Sequence, residues 1–282
     1  MNGVFAVNKP SGISSFGVVA KIRRALQPLS SPSSPSRRSR LKVGHGGTLD
    51  PFATGVIVIG VGDGCKALFT YLKGTKEYIA KAKMGQEMDS MDKTGRVLQE
   101  KDYCHVTREM VEAALPKFTG DILQTPPMFS ALSRGGKRLY ELARKGQHVE
   151  LQPRPVQVHS LELLSWDSPY FTLQVSSGAG MYVRRLVHDI CEGVGTCGYV
   201  AELHRTRHGA FTEDMALTEE QWTPEGISKA LIPIDDEFFN RLPSSSDEEE
   251  EAEKESALPA ISASTEKDDE DEAEEQETSS LR

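Results

Sequence analysis

Apolar residues fall along the chain in two rhythms. Residues 3–7 (GVFAV) and 56–61 (VIVIGV) are short unbroken apolar runs beside Gly or Pro, the pattern of strands buried on both faces. Tyr78, Ala80, Ala82 and Met84 alternate with polar neighbours, which predicts a strand with one buried face. Residues 156–164 and 171–175 read as two further strands. Helical spacing and end signals predict helices over residues 15–26, 107–118, 138–145 with a stop at Gly146, and 181–192 with a stop at Gly193. In the last of these Val183, Leu186, Val187 and Ile190 form an apolar stripe. No repeat with a period of roughly 20 to 50 residues is visible, which argues against solenoids and propellers. The class is α+β with one main sheet, whose strand order the pattern leaves open.

Composition then removes two segments from the core. Residues 28–40 (PLSSPSSPSRRSR) are rich in Pro and Ser with a basic end, and read as a flexible insertion. Residues 242–282 carry runs such as DEEEEAEKE and read as a disordered acidic tail, because few apolar groups are there to offset chain entropy. The expected folded domain is therefore residues 1–241. The split changes the meaning of the net charge of −9: residues 244–282 hold 16 acidic and 3 basic side chains, so the first 243 residues are mildly basic. A mildly basic body suits a polyanionic partner.

The longest apolar run, residues 56–61, is far short of the roughly 20 residues that span a bilayer, so no membrane partner is expected. The amino terminus lacks the plan of a secretory signal, so an intracellular location is expected. The four cysteines (Cys65, Cys104, Cys191, Cys197) show no CxxC spacing; buried reduced thiols are expected, with neither disulfides nor zinc.

Residues 42–66, KVGHGGTLDPFATGVIVIGVGDGCK, are unlike an ordinary strand connection. Gly44, Gly46 and Gly47 permit close backbone approaches, and Pro51 biases Asp50 toward extended geometry. A carboxylate on such a turn can point into a cleft, or can simply stabilise the turn. From these residues alone both readings stand. GVGDG (residues 60–64) breaks the G-x-G-x-x-G spacing and is no dinucleotide loop. His204 and His208, four apart, could share a helix face, but no H-E-x-x-H accompanies them, and no metal is expected.

GHGGTLDP followed by AxGVIVIxxGxGxK resembles the catalytic motif of the TruB family of pseudouridine synthases. NKPSGISS (residues 8–15), KEYIAKAKMGQEMDSMDKTG (76–95), QTPPMFSALSRGGKRLYELARKG (124–146) and SSGAGMYVRRLVHDIC (176–191) are similar to four further family segments, in the family's order. The resemblance implies the pseudouridine synthase fold, one mixed, mainly antiparallel sheet flanked by helices. It gives Asp50 the catalytic role, as nucleophile or ribose activator, with Arg184 as its ion-pair partner and Tyr78 stacking on the uracil. His45 becomes the wedge behind a flipped nucleotide, Leu203 a contact to the base, and Lys9 a support of the motif loop. Lys137, Arg138, Arg144 and Lys145 fall in the RNA-contacting insertion. Without the resemblance each has a plainer reading: Tyr78 an ordinary strand aromatic, Arg184 a solvent-facing cation beside the stripe, His45 a turn residue, Leu203 core.

Only about thirty residues separate Phe211 from the acidic tail, too few for the PUA domain of bacterial members. With GHGGTLD and the Ser-rich insertion, this is more similar to the eukaryotic stand-alone branch. That branch implies action on the T-loop uridine conventionally numbered 55 in tRNA and on messenger RNA stem-loops of similar shape. It also implies no cofactor, no obligatory protein partner, a monomer, and a nuclear or cytoplasmic location; a mitochondrial pool is left open, without a clear transit peptide. The rivals are a guide-dependent catalytic subunit and a non-catalytic RNA-binding or RNA-folding protein with the same fold.

Overall fold

The computed structural model describes residues 1–26, 41–147 and 149–234. The insertion read at residues 28–40 and the tail read at 242–282 lie outside them. The chain opens with β1 (Gly3–Lys9) and α1 (Ser15–Leu26), followed by β2 (Val43–His45) and β3 (Thr54–Val61). Helix α2 (Leu68–Lys73), strand β4 (Lys76–Met84) and a hairpin of β5 (Gln86–Met88) and β6 (Val97–Glu100) come next. Helix α3 (Arg108–Ala114) precedes β7 (Gly120–Gln124), a hairpin of β8 (Ser133–Arg134) and β9 (Lys137–Arg138), and α4 (Leu139–Arg144). The rest is β10 (Arg154–Asp167), β11 (Tyr170–Ser177), α5 (Val183–Gly193), β12 (Gly198–His208), β13 (Phe211–Thr212) and α6 (Pro224–Ala230).

Nine strands form one sheet in the order β1-β3-β12-β4-β11-β10-β7, with β2 beside β3 and β13 beside β12. Every pairing is antiparallel except β3 with β12, which run parallel at His204↔Thr54 and Arg205↔Gly55. The sheet is thus mixed and mainly antiparallel, as expected. At the parallel junction Gly55 has φ +111, and a Cβ there would lie 2.2 Å from the Arg205 carbonyl oxygen. Only glycine lets the two backbones come this close.

The apolar runs become strands covered on both faces. Phe5, Val7, Ile57 and Ile59 pack with Val18, Val19, Ile22 and Leu26 of α1, whereas Val4, Ala6, Val56 and Val58 pack with Phe211. The alternating residues of β4 turn one face inward, where Ala80, Ala82 and Met84 meet Leu186, Val187 and Ile190 of α5. Helix α3 starts where Thr107 accepts a hydrogen bond from the Met110 amide, and gives way to a 3-10 turn at Leu115–Phe118, around Pro116.

Two expectations need correction. His204 and His208 share no helix face: both lie on β12, a central strand the polar spacing conceals. A register shift between Arg205 and Arg207 turns them to opposite sides, His204 half-buried and His208 fully buried. Of the cysteines, Cys191 and Cys197 are buried free thiols, but Cys65 is half-buried and Cys104 exposed. Arg184, for which a solvent-facing place was the plainer alternative, is 3% exposed.

Candidate active site

Asp50 sits in the loop between β2 and β3, and the rest of the chain grips that loop by its backbone. The Ser15 hydroxyl accepts from the Leu49 amide (2.9 Å) and donates to the Leu49 carbonyl (3.0 Å). Lys9, fully buried, donates from Nζ to the Pro10, Ile13 and Pro51 carbonyls at 3.0, 2.8 and 3.2 Å. Ser11 Oγ donates to Phe52 O, and Gly12 N–H to Pro51 O. The amino-terminal NKPSGISS segment is therefore the clamp of the Asp50 loop. Burial lowers the Lys9 amine to about 8 against the opposing pull of Asp50.

From the other side, Arg205 of β12, 1% exposed, donates to the Val56, Thr48 and Gly47 carbonyls. His208 accepts from Val58 N–H through Nδ1 and reaches the Gly46 and Tyr71 carbonyls through Nε2 at 3.1 Å each. Burial, with the charges of Arg205 and Lys76 adding, lowers its pKa to about 2, so the ring is neutral and Nε2 carries the proton. Gly46 lies so close to α2 that a Cβ would come within 2.8 Å of the Tyr71 Cβ.

The Asp50 side chain takes no part in its own turn, which the Ala53 amide closes on the Asp50 carbonyl at 3.1 Å. Both carboxylate oxygens face Arg184 instead: Nε donates to Oδ2 at 2.7 Å and Nη2 to Oδ1 at 3.2 Å. This removes the reading of Asp50 as a turn stabiliser. Arg184 is second in α5, on the flank of its apolar stripe, and gives two further donors to the Ser90 carbonyl (2.8 Å) and the Phe129 carbonyl (2.8 Å). Asp92 stands 3.8 Å from its Nη1 and is itself held by Ser90 Oγ and Thr94. One guanidinium thus ties together three loops and leaves Asp50 28% exposed beside a partner that is 3% exposed.

The other expected residues divide. Tyr78 and Leu203 are buried on neighbouring β4 and β12, in the apolar cluster that also holds Leu49 and Phe52, which flank Asp50-Pro51. His45 is half-buried on β2; its Nδ1 has no hydrogen-bond partner, and burial with the Arg205 charge lowers its pKa, so it is neutral. Lys137, Arg138, Arg144 and Lys145 are all exposed, around the β8–β9 hairpin and α4. Arg138 donates to Ala131 O, and Arg144 lies 5.5 Å from the Tyr140 ring. The insertion hangs from the segment that holds Arg184, since Tyr140 N–H donates to Ser130 O and Leu139 N–H to Leu132 O. Sequence reading gave Arg205, His208, Ser15, Ser90 and Phe129 no role at this site. Their signal was faint: Arg205 and His208 are polar residues at inward positions of a strand, and Ser90 and Phe129 act through carbonyls that any residue carries.

Comparison with known proteins gives a consistent result. The family model described as TruB family pseudouridylate synthase (N terminal domain) matches residues 36–183, ending one residue before Arg184. Mouse pseudouridylate synthase TRUB1 is 46% identical over 237 residues, 82% of this chain and 70% of the relative. The tRNA pseudouridine synthase B of Dehalococcoides mccartyi strain 195 is 38% identical over 259 residues, 86% of this chain and 82% of the relative. Among solved structures, a chain of a Cbf5–Nop10–Gar1 complex is similar at a TM-score of 0.60 with 26% identity, over 82% of this chain. This chain spans only 60% of that one.

Proposed function

The chain belongs to the TruB family of pseudouridylate synthases, and from that premise we propose that it converts uridine to pseudouridine in tRNA with Asp50 as the catalytic carboxylate. The observation that carries the assignment is the Asp50 carboxylate itself. It is oriented by both arms of Arg184, part-exposed, and mounted on a loop whose backbone Lys9, Ser11, Ser15 and Arg205 hold in place.

The isomerisation breaks the C1′–N1 bond, turns the freed uracil and joins C1′ to C5; the C5 proton leaves to solvent and N1 takes one up, with no net redox change. The target base must leave its stack to reach a carboxylate in a cleft, at an unstacking cost of a few kcal/mol. Asp50 supplies the anion, either as nucleophile or by activating the ribose. Arg184 fixes its direction and neutralises it through a bidentate pair, so no rearrangement is needed when substrate arrives. Tyr78 offers an aromatic face for the uracil and Leu203 an apolar wall, with His45 as the wedge. Lys137, Arg138, Arg144 and Lys145 meet phosphates and position the RNA.

The finer target we propose is the T-loop uridine, with messenger RNA stem-loops of the same shape as further substrates, and action as a monomer without guide RNA or protein partner. Support comes from the relatives: identity is 46% to mouse TRUB1 and 38% to a synthase named for tRNA, against 26% to the solved chain whose crystal also holds Nop10 and Gar1. The test is to incubate the protein alone with tRNA tritiated at uridine C5. Tritium release is expected; no release would favour the guided or non-catalytic alternatives.

A further inference from the structure

The main sheet has two halves. Strands β1 and β2 pair with β3, whereas β4, β11, β10 and β7 follow one another outward from β12. The halves meet where β3 runs parallel to β12, in a ladder of two pairs, His204↔Thr54 and Arg205↔Gly55. The active site straddles this seam. Asp50 hangs from the β2–β3 loop of the first half, and Tyr78 on β4 and Leu203 on β12 belong to the second. A slip of one half against the other therefore changes the distance from the carboxylate to any base lodged beside Tyr78 and Leu203.

Side chains brace the seam from both faces. Under the Asp50 loop, Arg205 donates across it to the Val56, Thr48 and Gly47 carbonyls, and His208 accepts from the Val58 amide. Successive residues of a strand point to opposite faces, so His204, between buried Leu203 and Arg205, projects from the other one. There Thr54 Oγ1 and His204 Nδ1 lie 2.7 Å apart, and His204 Nε2 and Glu213 Oε1 lie 2.6 Å apart. A carboxylate oxygen accepts and does not donate, so Nε2 carries the proton and Nδ1 of the neutral ring is left to accept from the Thr54 hydroxyl. Glu213 thereby selects the tautomer that can hold Thr54. From Thr54 the hold reaches Asp50 over one turn, which the Ala53 amide closes on the Asp50 carbonyl at 3.1 Å. Glu213 also opens the segment that returns to the first half, where Leu217 N–H donates to Ala6 O and Leu217 O accepts from Asn8 N–H, beside Lys9. The His204 and Glu213 side chains are 31% and 45% exposed, and exposed pairs add little to stability. What the chain of bonds supplies is register.

We propose that His204, acting through Thr54 with its tautomer set by Glu213, is a positioning residue of the reaction. It straps the half of the sheet that carries Asp50 to the half that carries Tyr78 and Leu203, and so sets how closely the uracil meets the carboxylate. This rests on the pseudouridine-forming reading above.

The test separates rate from binding. Thr54→Val keeps the β-branched shape and removes the hydroxyl; Thr54→Ser keeps the hydroxyl. At saturating tRNA the single-turnover rate of Thr54→Val should fall about ten- to a hundredfold, the scale of a misplacement below or near an angstrom. Its tRNA affinity by filter binding should stay within about threefold, and Thr54→Ser should recover most of the lost rate. Glu213→Ala, at an exposed position, should slow the reaction less than Thr54→Val, and the double variant should be no slower than Thr54→Val, because Glu213 acts only through that hydroxyl. Nitrogen-15 spectra of ring-labelled histidine at about pH 8 should show the His204 proton on Nε2 in the wild type and mixed tautomers in Glu213→Ala. Wild-type rates for Thr54→Val, additive losses in the double variant, or a wild-type proton on Nδ1 would each overturn the proposal, and wild-type turnover of tRNA would leave the parent reading intact. Absence of wild-type turnover overturns both.

Discussion

Arg184 meets Asp50 edge to edge, Nε 2.7 Å from Oδ2 and Nη2 3.2 Å from Oδ1, across 134 residues of sequence. The pair costs its own desolvation, but the Ser90 and Phe129 carbonyls satisfy the guanidinium elsewhere. It therefore serves to orient the carboxylate more than to hold the fold together.

Arg184→Lys tests orientation against charge. Lysine keeps the cation but cannot grip a carboxylate bidentately or reach the Ser90 and Phe129 carbonyls together. Turnover should fall by at least ~100-fold, the usual effect of misplacing a reacting group by about an angstrom. RNA affinity by filter binding should stay within about threefold. Near-normal turnover would mean that bidentate geometry is dispensable.

Asp50→Asn removes the anion and keeps the size. The loop is held through backbone atoms of Leu49, Pro51 and Phe52, not through the Asp50 side chain, so the variant should fold. Tritium release should vanish, while RNA binding survives within about tenfold, or ~1.4 kcal/mol. A folded variant that still releases tritium at a substantial rate would overturn the assignment of Asp50.

Ser15→Ala should couple stability to activity. It strips the partner from both the amide and the carbonyl of buried Leu49. The expected cost is about 1–3 kcal/mol of unfolding free energy by denaturant titration, with kcat reduced more than KM changes because the Asp50 loop loosens. Unaltered kcat in a destabilised variant would show that the clamp acts on the fold alone.

His208 should make the protein lose stability in mild acid. Its folded pKa of about 2 lies below the ordinary value near 6.5, so on acidification the unfolded chain binds a proton that the folded protein refuses. The stability this group contributes is complete above pH 6.5 and declines by about 1.4 kcal/mol per pH unit below it. His45, lowered in the same direction, adds to the slope. In His208→Gln, urea unfolding followed between pH 7 and 5 should show the slope reduced by about one proton. An unchanged slope would mean that His208 is not the buried neutral group.

What the sequence determined by itself is local. The bounds of α1 matched their expected residues, and β1, β3 and β4 appeared where apolar runs and alternation put them, because those patterns record which side of an element is sealed from water. The motif order likewise marked Asp50, Tyr78 and Arg184. Only the tertiary structure decided that Arg184 is buried, for a cation on the flank of an apolar stripe faces water unless a distant segment brings it partners. Strand β12 stayed hidden for the same reason. Its inward Arg205 and His208 look like solvent-facing residues until the backbone carbonyls of the Asp50 loop, some 150 positions away, satisfy them. Periodicity reads burial from a residue's own polarity; a buried polar group is stable only through partners that the chain supplies after it has folded.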